Sequence, residues 1–273
     1  MNSKQFNVDI ITSRANSTIV KIAKLNEKKY RNDENLFICN GIKLFEEAVS
    51  FGAKIRYIII QDDIKFDTDT IENIEKCIKD GSKLLCVSEN VFEKITDEKA
   101  PQGLLCVCDV FAESLLECES TELKNEKIMM FESIRDPGNV GAILRSAAAF
   151  GIDRIIFSDD SADIYSPKVA RASMGAIFKV KINRVASLKE AIVLLKRFGK
   201  NVISTTLTDN SLVLGDYTLS KNDVIIIGNE GHGLSRETID SSDETLFIPM
   251  NKSTESLNAA IASSIIMWEM SKL

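Results

Sequence analysis

The sequence predicts an α/β protein in two parts: a small N-terminal α/β domain, then a larger part with a mostly parallel sheet covered by helices on both faces. Three observations carry this reading. Short apolar runs of strand length alternate with amphipathic stretches of helix length. Many helical stretches stop at a glycine: Gly52, Gly81, Gly151 and Gly199. The composition also changes along the chain. Residues 1–126 hold 17 basic and 23 acidic residues and residues 127–273 hold 17 of each, so the whole net charge of -6 lies in the first part. All six cysteines lie there too.

In order, Ile19, Ile22, Ala23 and Leu25 give a helical period up to about Tyr30, and "NLFICNG" follows as a short strand. "GIKLFEEAVSFG" is a helix, "KIRYIIIQ" a strand, residues 69–80 a helix and "KLLCVS" a strand. "SENVFEKITD" starts a short helix and "GLLCVCDV" is the last strand of the domain. The acidic stretch "FAESLLECESTELKN" reads as a linker or linking helix. The expected boundaries are therefore 1–110 for the first domain, 111–126 for the linker and 127–273 for the second domain.

The second part alternates more cleanly. "KIMMFESI" is a strand, "DPGNVGAILRSAAAFG" a loop and helix, "RIIFSD" a strand, "SPKVARASMGA" a short helix and "IFKVKI" a strand. "SLKEAIVLLKRFG" is an amphipathic helix capped by Ser187. "NVISTTL", "DVIIIGNE" and "TLFIPM" are strands, and a helix from about Ser256 to Met270 closes the chain.

The totals exclude several classes. A 273-residue chain with 27% charged and 44% hydrophobic residues is neither fibrous nor disordered. No apolar run is long enough to span a membrane, and the start lacks the apolar core of a secretory signal, so a cytoplasmic protein is expected. The cysteines show no CxxC spacing and read as free, buried thiols; strand alternation puts Cys106 and Cys108 on one face. With His232 as the single histidine, no metal site is expected.

In parallel α/β sheets ligands gather beyond the carboxyl ends of strands, and the loops there are informative. In "RDPGNVGAILR", Pro137 and Gly138 suit a turn, Asn139 a helix cap, and Gly141 close approach of a ligand or backbone. Arg145 follows on the same helix; a capped helix with a surface arginine is the plainer alternative. In "IIIGNEGHGLS", Gly228, Gly231 and Gly233 make a compact turn around Glu230. This is neither a dinucleotide fingerprint nor a P-loop. His232 has no partner in sequence for nucleophilic or general-base chemistry and is expected to be dispensable. In "IPMNKSTESLNAAIASSI", Asn251, Ser253, Ser256 and Asn258 precede a helix dense in alanine and serine.

Together these three loops resemble the signature motifs of the SpoU/TrmH family of S-adenosylmethionine-dependent RNA ribose 2'-O-methyltransferases, within the SPOUT superfamily. "NVGAILRSAAAFG" is similar to its first motif, "IIIGNEGHGLS" to the second and "IPMNKSTESLN" to the third. The first part resembles the family's substrate-binding domain, although Cys39-Asn40-Gly41 stands where relatives usually show a Val-Glu-Gly-like sequence. The resemblance implies a parallel sheet with a deep trefoil knot, a homodimer, S-adenosylmethionine as cofactor and RNA as substrate, with large-subunit ribosomal RNA expected over tRNA. A non-catalytic RNA-binding protein on the same fold is the competing reading.

By resemblance, cofactor contacts fall on Thr205, Thr206, Gly228, Ile248, Met250, Ser256 and Leu257, and Arg145, Asn139, Glu230 and Asn258 match the family's catalytic and polar positions. The implied reaction is in-line attack of a ribose 2'-hydroxyl on a methyl carbon bonded to cationic sulfur, so the task left to the protein is to position the hydroxyl and ease loss of its proton. The expected RNA-facing cations are Lys21, Lys24, Lys28, Lys29, Arg31, Arg135, Lys168 and Arg171, with Arg154 a further candidate.

Overall fold

The structure is a computed structural model that describes residues 2–111, 114–208, 210–229, 231–251 and 256–273. The chain divides into two compact units. Unit 1 comprises residues 1–111 together with 163–178, and unit 2 comprises 112–162 and 179–273.

In chain order, unit 1 begins with α1 (Asn2–Phe6), β1 (Ile10–Ile11), α2 (Ser17–Lys24), α3 (Lys28–Glu34), β2 (Leu36–Asn40) and α4 (Ile42–Ser50). It continues with β3 (Ile55–Gln61), α5 (Thr68–Lys79), β4 (Lys83–Val87), α6 (Glu89–Ile95) and β5 (Leu104–Asp109). The sheet order is β1-β4-β3-β5-β2. The first three strands are parallel; β5 runs antiparallel to both β3 and β2. On one face Ile19 and Ile22 of α2 and Val91, Phe92 and Ile95 of α6 bury against Ile38, Ile59, Leu105 and Val107. Alternation turns Cys39, Cys106 and Cys108 to the other face.

The single N-terminal helix expected to Tyr30 is two helices. Arg31 supplies the reason: its guanidinium, 4% exposed, donates to the Leu25 carbonyl at 2.6 Å and so satisfies an orphan acceptor at the end of α2.

The next elements are α7 (Ser120–Asn125), β6 (Ile128–Phe131), α8 (Pro137–Phe150), β7 (Arg154–Ser158), α9 (Pro167–Ala172), β8 (Lys181–Val185) and α10 (Leu188–Arg197). Then come β9 (Asn201–Thr205), β10 (Leu212–Val213), β11 (Asp223–Ile227), α11 (Arg236–Ser241), β12 (Glu244–Phe247) and α12 (Ala259–Ser271). Unit 2 holds a seven-stranded sheet in the order β10-β12-β9-β11-β6-β7-β8, parallel throughout. The stretch expected to be a linker or linking helix is partly helical and packed. It carries a short 3-10 turn (Leu115–Glu117) and α7, and Leu115 and Leu123 bury in the unit 2 core against Ile128, Ile192 and Ile226.

Residues 163–178, read from sequence as part of the second domain, cluster with unit 1. Arg31 donates to the Asp163 carboxylate through Nε at 3.0 Å and through a guanidinium nitrogen at 2.5 Å. Tyr165 packs on Phe37 with ring centroids 4.9 Å apart, and Phe178 packs on Phe111 at 5.7 Å. This explains why "IFKVKI" is not a strand from its start. Ala176–Phe178 form a 3-10 turn that commits Phe178 to the aromatic cluster, and β8 begins only at Lys181.

Candidate active site

The loops after β6, β9, β11 and β12 all leave the carboxyl ends of neighbouring parallel strands in unit 2. After β11 the chain folds back on itself. The Asn229 amide donates to the Gly233 carbonyl at 3.1 Å and the Gly233 amide donates to the Asn229 carbonyl at 2.8 Å. Gly233 takes φ +66°, a conformation most side chains avoid. Gly228 is demanded by space: a Cβ there would lie 2.3–2.5 Å from backbone atoms of Gly233 and Leu234.

This knuckle forms one wall of a cavity of about 480 Å³, within the range of small-molecule sites. Thr205 and Thr206 line it from the end of β9 and the loop after it, Ile248 and Met250 from the loop after β12, and Ser256 and Leu257 from the approach to α12. All seven residues expected to contact a cofactor thus converge on one cavity. Leu207, Ile227, Leu246 and Phe247 add apolar wall, and Thr205, Thr206 and Ser256 are polar residues among its lining. The Thr205 hydroxyl donates to the Ile226 carbonyl at 2.8 Å, which fixes its rotamer. A flat apolar group with a few polar edges suits such walls, and the missing Cβ at Gly228 lets the knuckle close on its own backbone. Other cavities, of about 550 Å³ and about 480 Å³, lie beside the Arg56–Asp109 and Lys181–Glu126 ion pairs.

Of the residues expected to act on the ribose, Asn139 and Asn258 meet. The Asn258 side chain caps α12 by accepting from the amides of Ala260 and Ile261 at 2.9 and 3.2 Å. Its amide donates to Asn139 Oδ1 at 3.0 Å. Asn139 is not the cap of α8, as expected, but lies in its first turn. Asp136 is the cap, accepting from the Asn139 amide at 3.0 Å, and Pro137 opens the helix. Further along, Ser146 and Ser264 hydrogen-bond at 2.8 Å and Phe150 meets Trp268 with centroids 5.9 Å apart. Helices α8 and α12 therefore run side by side in the same direction. Arg145 is exposed on α8, and no ion pair to it occurs among the described residues. Glu230 and Ser253 lie outside the described residues. His232 is exposed in the knuckle.

Sequence reasoning missed Asn229. Its side chain accepts from the Gly231 amide at 2.8 Å and donates to the Ser133 carbonyl at 2.9 Å, which ties the knuckle to the loop after β6. Ser133 sits at φ +57° and is anchored in turn: its amide donates to Ser158 Oγ at 2.8 Å, and its hydroxyl hydrogen-bonds the Asp160 carboxylate. Burial opposes charge on Asp160. Donation from the Ser133 and Ser158 hydroxyls outweighs it, and its pKa is held below the usual carboxylate value. The signal for Asn229 was its place between two glycines, where a short amide side chain can bond local backbone.

The cations expected to face RNA divide. Lys21, Lys24, Lys28 and Lys29 are exposed on α2 and α3, with Lys24 4.9 Å from the Tyr30 ring centre. Lys168 and Arg135 are also exposed, the latter 3.7 Å from Asp160. Arg171 is half-buried and donates to both Asp97 oxygens at 2.7 and 3.0 Å. Arg31 and Arg154 are corrections. Arg31 is committed to Asp163. Arg154 is wholly buried and donates to Glu126 at 2.6 Å and Asn183 at 2.7 Å, so neither is free to meet phosphate.

Residues 126–268 match the model of the SpoU rRNA Methylase family, and residues 16–106 match that of the MRM3-like substrate binding domain. The chain belongs to the SpoU rRNA methylase family. Among SpoU relatives, it is 28% identical to the 23S rRNA (guanosine(2553)-2'-O)-methyltransferase RlmP of Bacillus subtilis over 95% of this chain and 98% of that protein. It is 30% identical to the 23S rRNA (guanosine-2'-O-)-methyltransferase RlmB of Coxiella burnetii over 73% of this chain and 80% of that one. The AdoMet-bound rRNA methyltransferase from Sinorhizobium meliloti superposes with a TM-score of 0.86 at 28% identity, covering 97% of each chain. No helix among the described residues is long and apolar enough to cross a membrane.

Proposed function

We propose that this SpoU-family enzyme methylates a ribose 2'-hydroxyl of large-subunit ribosomal RNA, with S-adenosylmethionine held in the cavity around Gly228. The observation that carries this reading is the convergence of three strand-end loops on one cavity whose wall has no room for a side chain at residue 228. Bound there, S-adenosylmethionine supplies a methyl group on a cationic sulfur. The chain's own part is to bind, orient and manage a proton. Thr205, Thr206, Ile248, Met250, Ser256 and Leu257 fix the pose, and the pair of hydrogen bonds across the knuckle keeps the wall rigid.

Arg145 is the proposed contact to the reacting ribose. A guanidinium stays protonated and offers only donors. It therefore orients the 2'-hydroxyl or its flanking phosphate, and favours the developing alkoxide, rather than taking the proton as a conventional base. Asn139 and Asn258 are positioning residues: their hydrogen bond fixes the first turn of α8, the helix that carries Arg145, against the start of α12. Glu230 belongs to this proposal through its motif alone. Lys21, Lys24, Lys28, Lys29 and Lys168 are the cations proposed to meet the RNA backbone, and Arg171 and Arg135 would do so by exchanging their carboxylate partners for phosphate.

A homodimer and the trefoil knot are also part of this reading. Ile261 and Trp268, each 54% exposed, place apolar surface on α12 that suits a second copy. Sedimentation should give a dimer.

The deciding experiment supplies labelled S-adenosylmethionine with protein-free 23S rRNA, whole large subunits or tRNA, and maps the product by 2'-O-methyl sequencing. One labelled ribose in 23S rRNA is expected, and a guanosine is the first position to examine because the two relatives named above act on guanosines. Label confined to tRNA would redirect the substrate. Cofactor binding without transfer to any of the three would refute the reading.

A further inference from the structure

Unit 1 contains a chemical cluster that methyl transfer does not use. Cys39 of β2 is paired in register with Cys106 of antiparallel β5, and Cys108 follows two residues later on the same face. All three are buried, and their sulfurs lie within 4.8 Å of one another. Cys106 Sγ and Cys108 Sγ are 3.8 Å apart. Three sulfurs each about 2.3 Å from one ion in their plane would stand about 4.0 Å apart, so the spacing is that of a trigonal site with small adjustments.

We propose that Cys39, Cys106 and Cys108 form a three-coordinate sulfur site for a soft monovalent ion of the Cu(I) class. Coordination number selects the ion. Structural zinc takes four ligands, whereas this cluster offers three sulfurs and, among the described residues, no further histidine or carboxylate beside them. Thiolate softness selects Cu(I) over harder ions. Loading releases the three thiol protons to solvent, because cysteine ligates as the thiolate. Bound, the ion clips β2 to β5. Because the sulfurs are fully buried, it enters as unit 1 folds or when the sheet's helical cover opens.

The test uses the full chain, reduced and under anaerobic conditions, with Cu(I) supplied as its coloured bicinchoninate complex. Folded protein and protein refolded in the presence of the complex are both read. The proposal expects one equivalent to pass to the protein by at least the refolding route, and Cys39→Ala, Cys106→Ala and Cys108→Ala each to weaken uptake at least 100-fold. Cys118→Ala, in unit 2, should leave it unchanged. Absence of uptake by both routes overturns the proposal, as does wild-type uptake in any of the three variants or loss in Cys118→Ala. X-ray absorption of the loaded wild type decides independently of whether variants fold. Three sulfur neighbours are expected, and two sulfurs or any nitrogen or oxygen ligand refutes the site.

Discussion

Replacing Gly228 with alanine puts a methyl group where backbone already stands. The new Cβ would lie 2.3 Å from the Gly233 carbonyl carbon, 2.4 Å from its oxygen and 2.5 Å from the Leu234 nitrogen. None of these is the end of a flexible side chain, so the knuckle itself must open. Opening sacrifices the two hydrogen bonds between Asn229 and Gly233, at about 1 kcal/mol each, and adds strain of about 1–3 kcal/mol. A loss of about 3–5 kcal/mol, at about 2–4 °C per kcal/mol for a domain of this size, lowers Tm by about 6–20 °C. The displaced wall also lines the cavity, and S-adenosylmethionine affinity should fall at least tenfold, about 1.4 kcal/mol. Calorimetry supplies both numbers. Gly231→Ala is the internal comparison, since its Cβ would sit 3.3 Å from a side-chain atom, Asn229 Oδ1, and both effects should be slight. A G228A protein with wild-type Tm and wild-type affinity would refute the reasoning about this wall.

Arg145→Ala should bind S-adenosylmethionine normally while methylation falls at least about 100-fold, and R145K should not restore it, because a point charge does not reproduce the guanidinium fork. Asn258→Ala should cost about 1 kcal/mol through loss of the α12 cap, whereas N258D keeps the cap acceptor and loses donation to Asn139. Denaturation should therefore show N258D near wild type and kinetics should show it impaired; equal defects in both assays would separate Asn139 from catalysis. Asp160 has a folded pKa below its unfolded value, so its stabilisation is present above about pH 4 and lost as pH falls through the folded value. Urea midpoints of D160N should accordingly depend less on acid pH than those of wild type. His232→Ala should retain methylation within a few-fold; a hundredfold loss would give the imidazole a role that its exposed position does not suggest.

Local order was largely legible in the residues. Continuous apolar runs such as residues 224–227 mark buried parallel strands, and glycines mark helix ends, because both signals depend on near neighbours. What escaped depends on distant partners. Arg31 and Arg154 look like surface cations until Asp163 and Glu126, far along the chain, are brought to them. The helix cap moved from Asn139 to Asp136 because Pro137 can open a helix and needs no donor of its own. The seven cavity residues were found through motif resemblance; spacing alone would not have joined loops from three strands. Cys39 could not be placed beside Cys106 without the register of β2 on β5.

The membership of residues 163–178 in unit 1 sets an order on synthesis. When residue 111 has been made, Arg31 has no Asp163, and Phe37 and Phe111 lack Tyr165 and Phe178. The missing side chains arrive with residue 178, 67 positions later by the boundaries of the two units. At about 5–20 residues per second, that is an interval of about 3–13 seconds. During it the nascent chain carries an unpaired buried-site arginine and an uncovered aromatic face, while β6, α8 and β7 emerge between them. Chain made to residue 111 alone should recruit chaperones that the finished protein does not need, and a grafted version of this domain must carry its second segment from downstream.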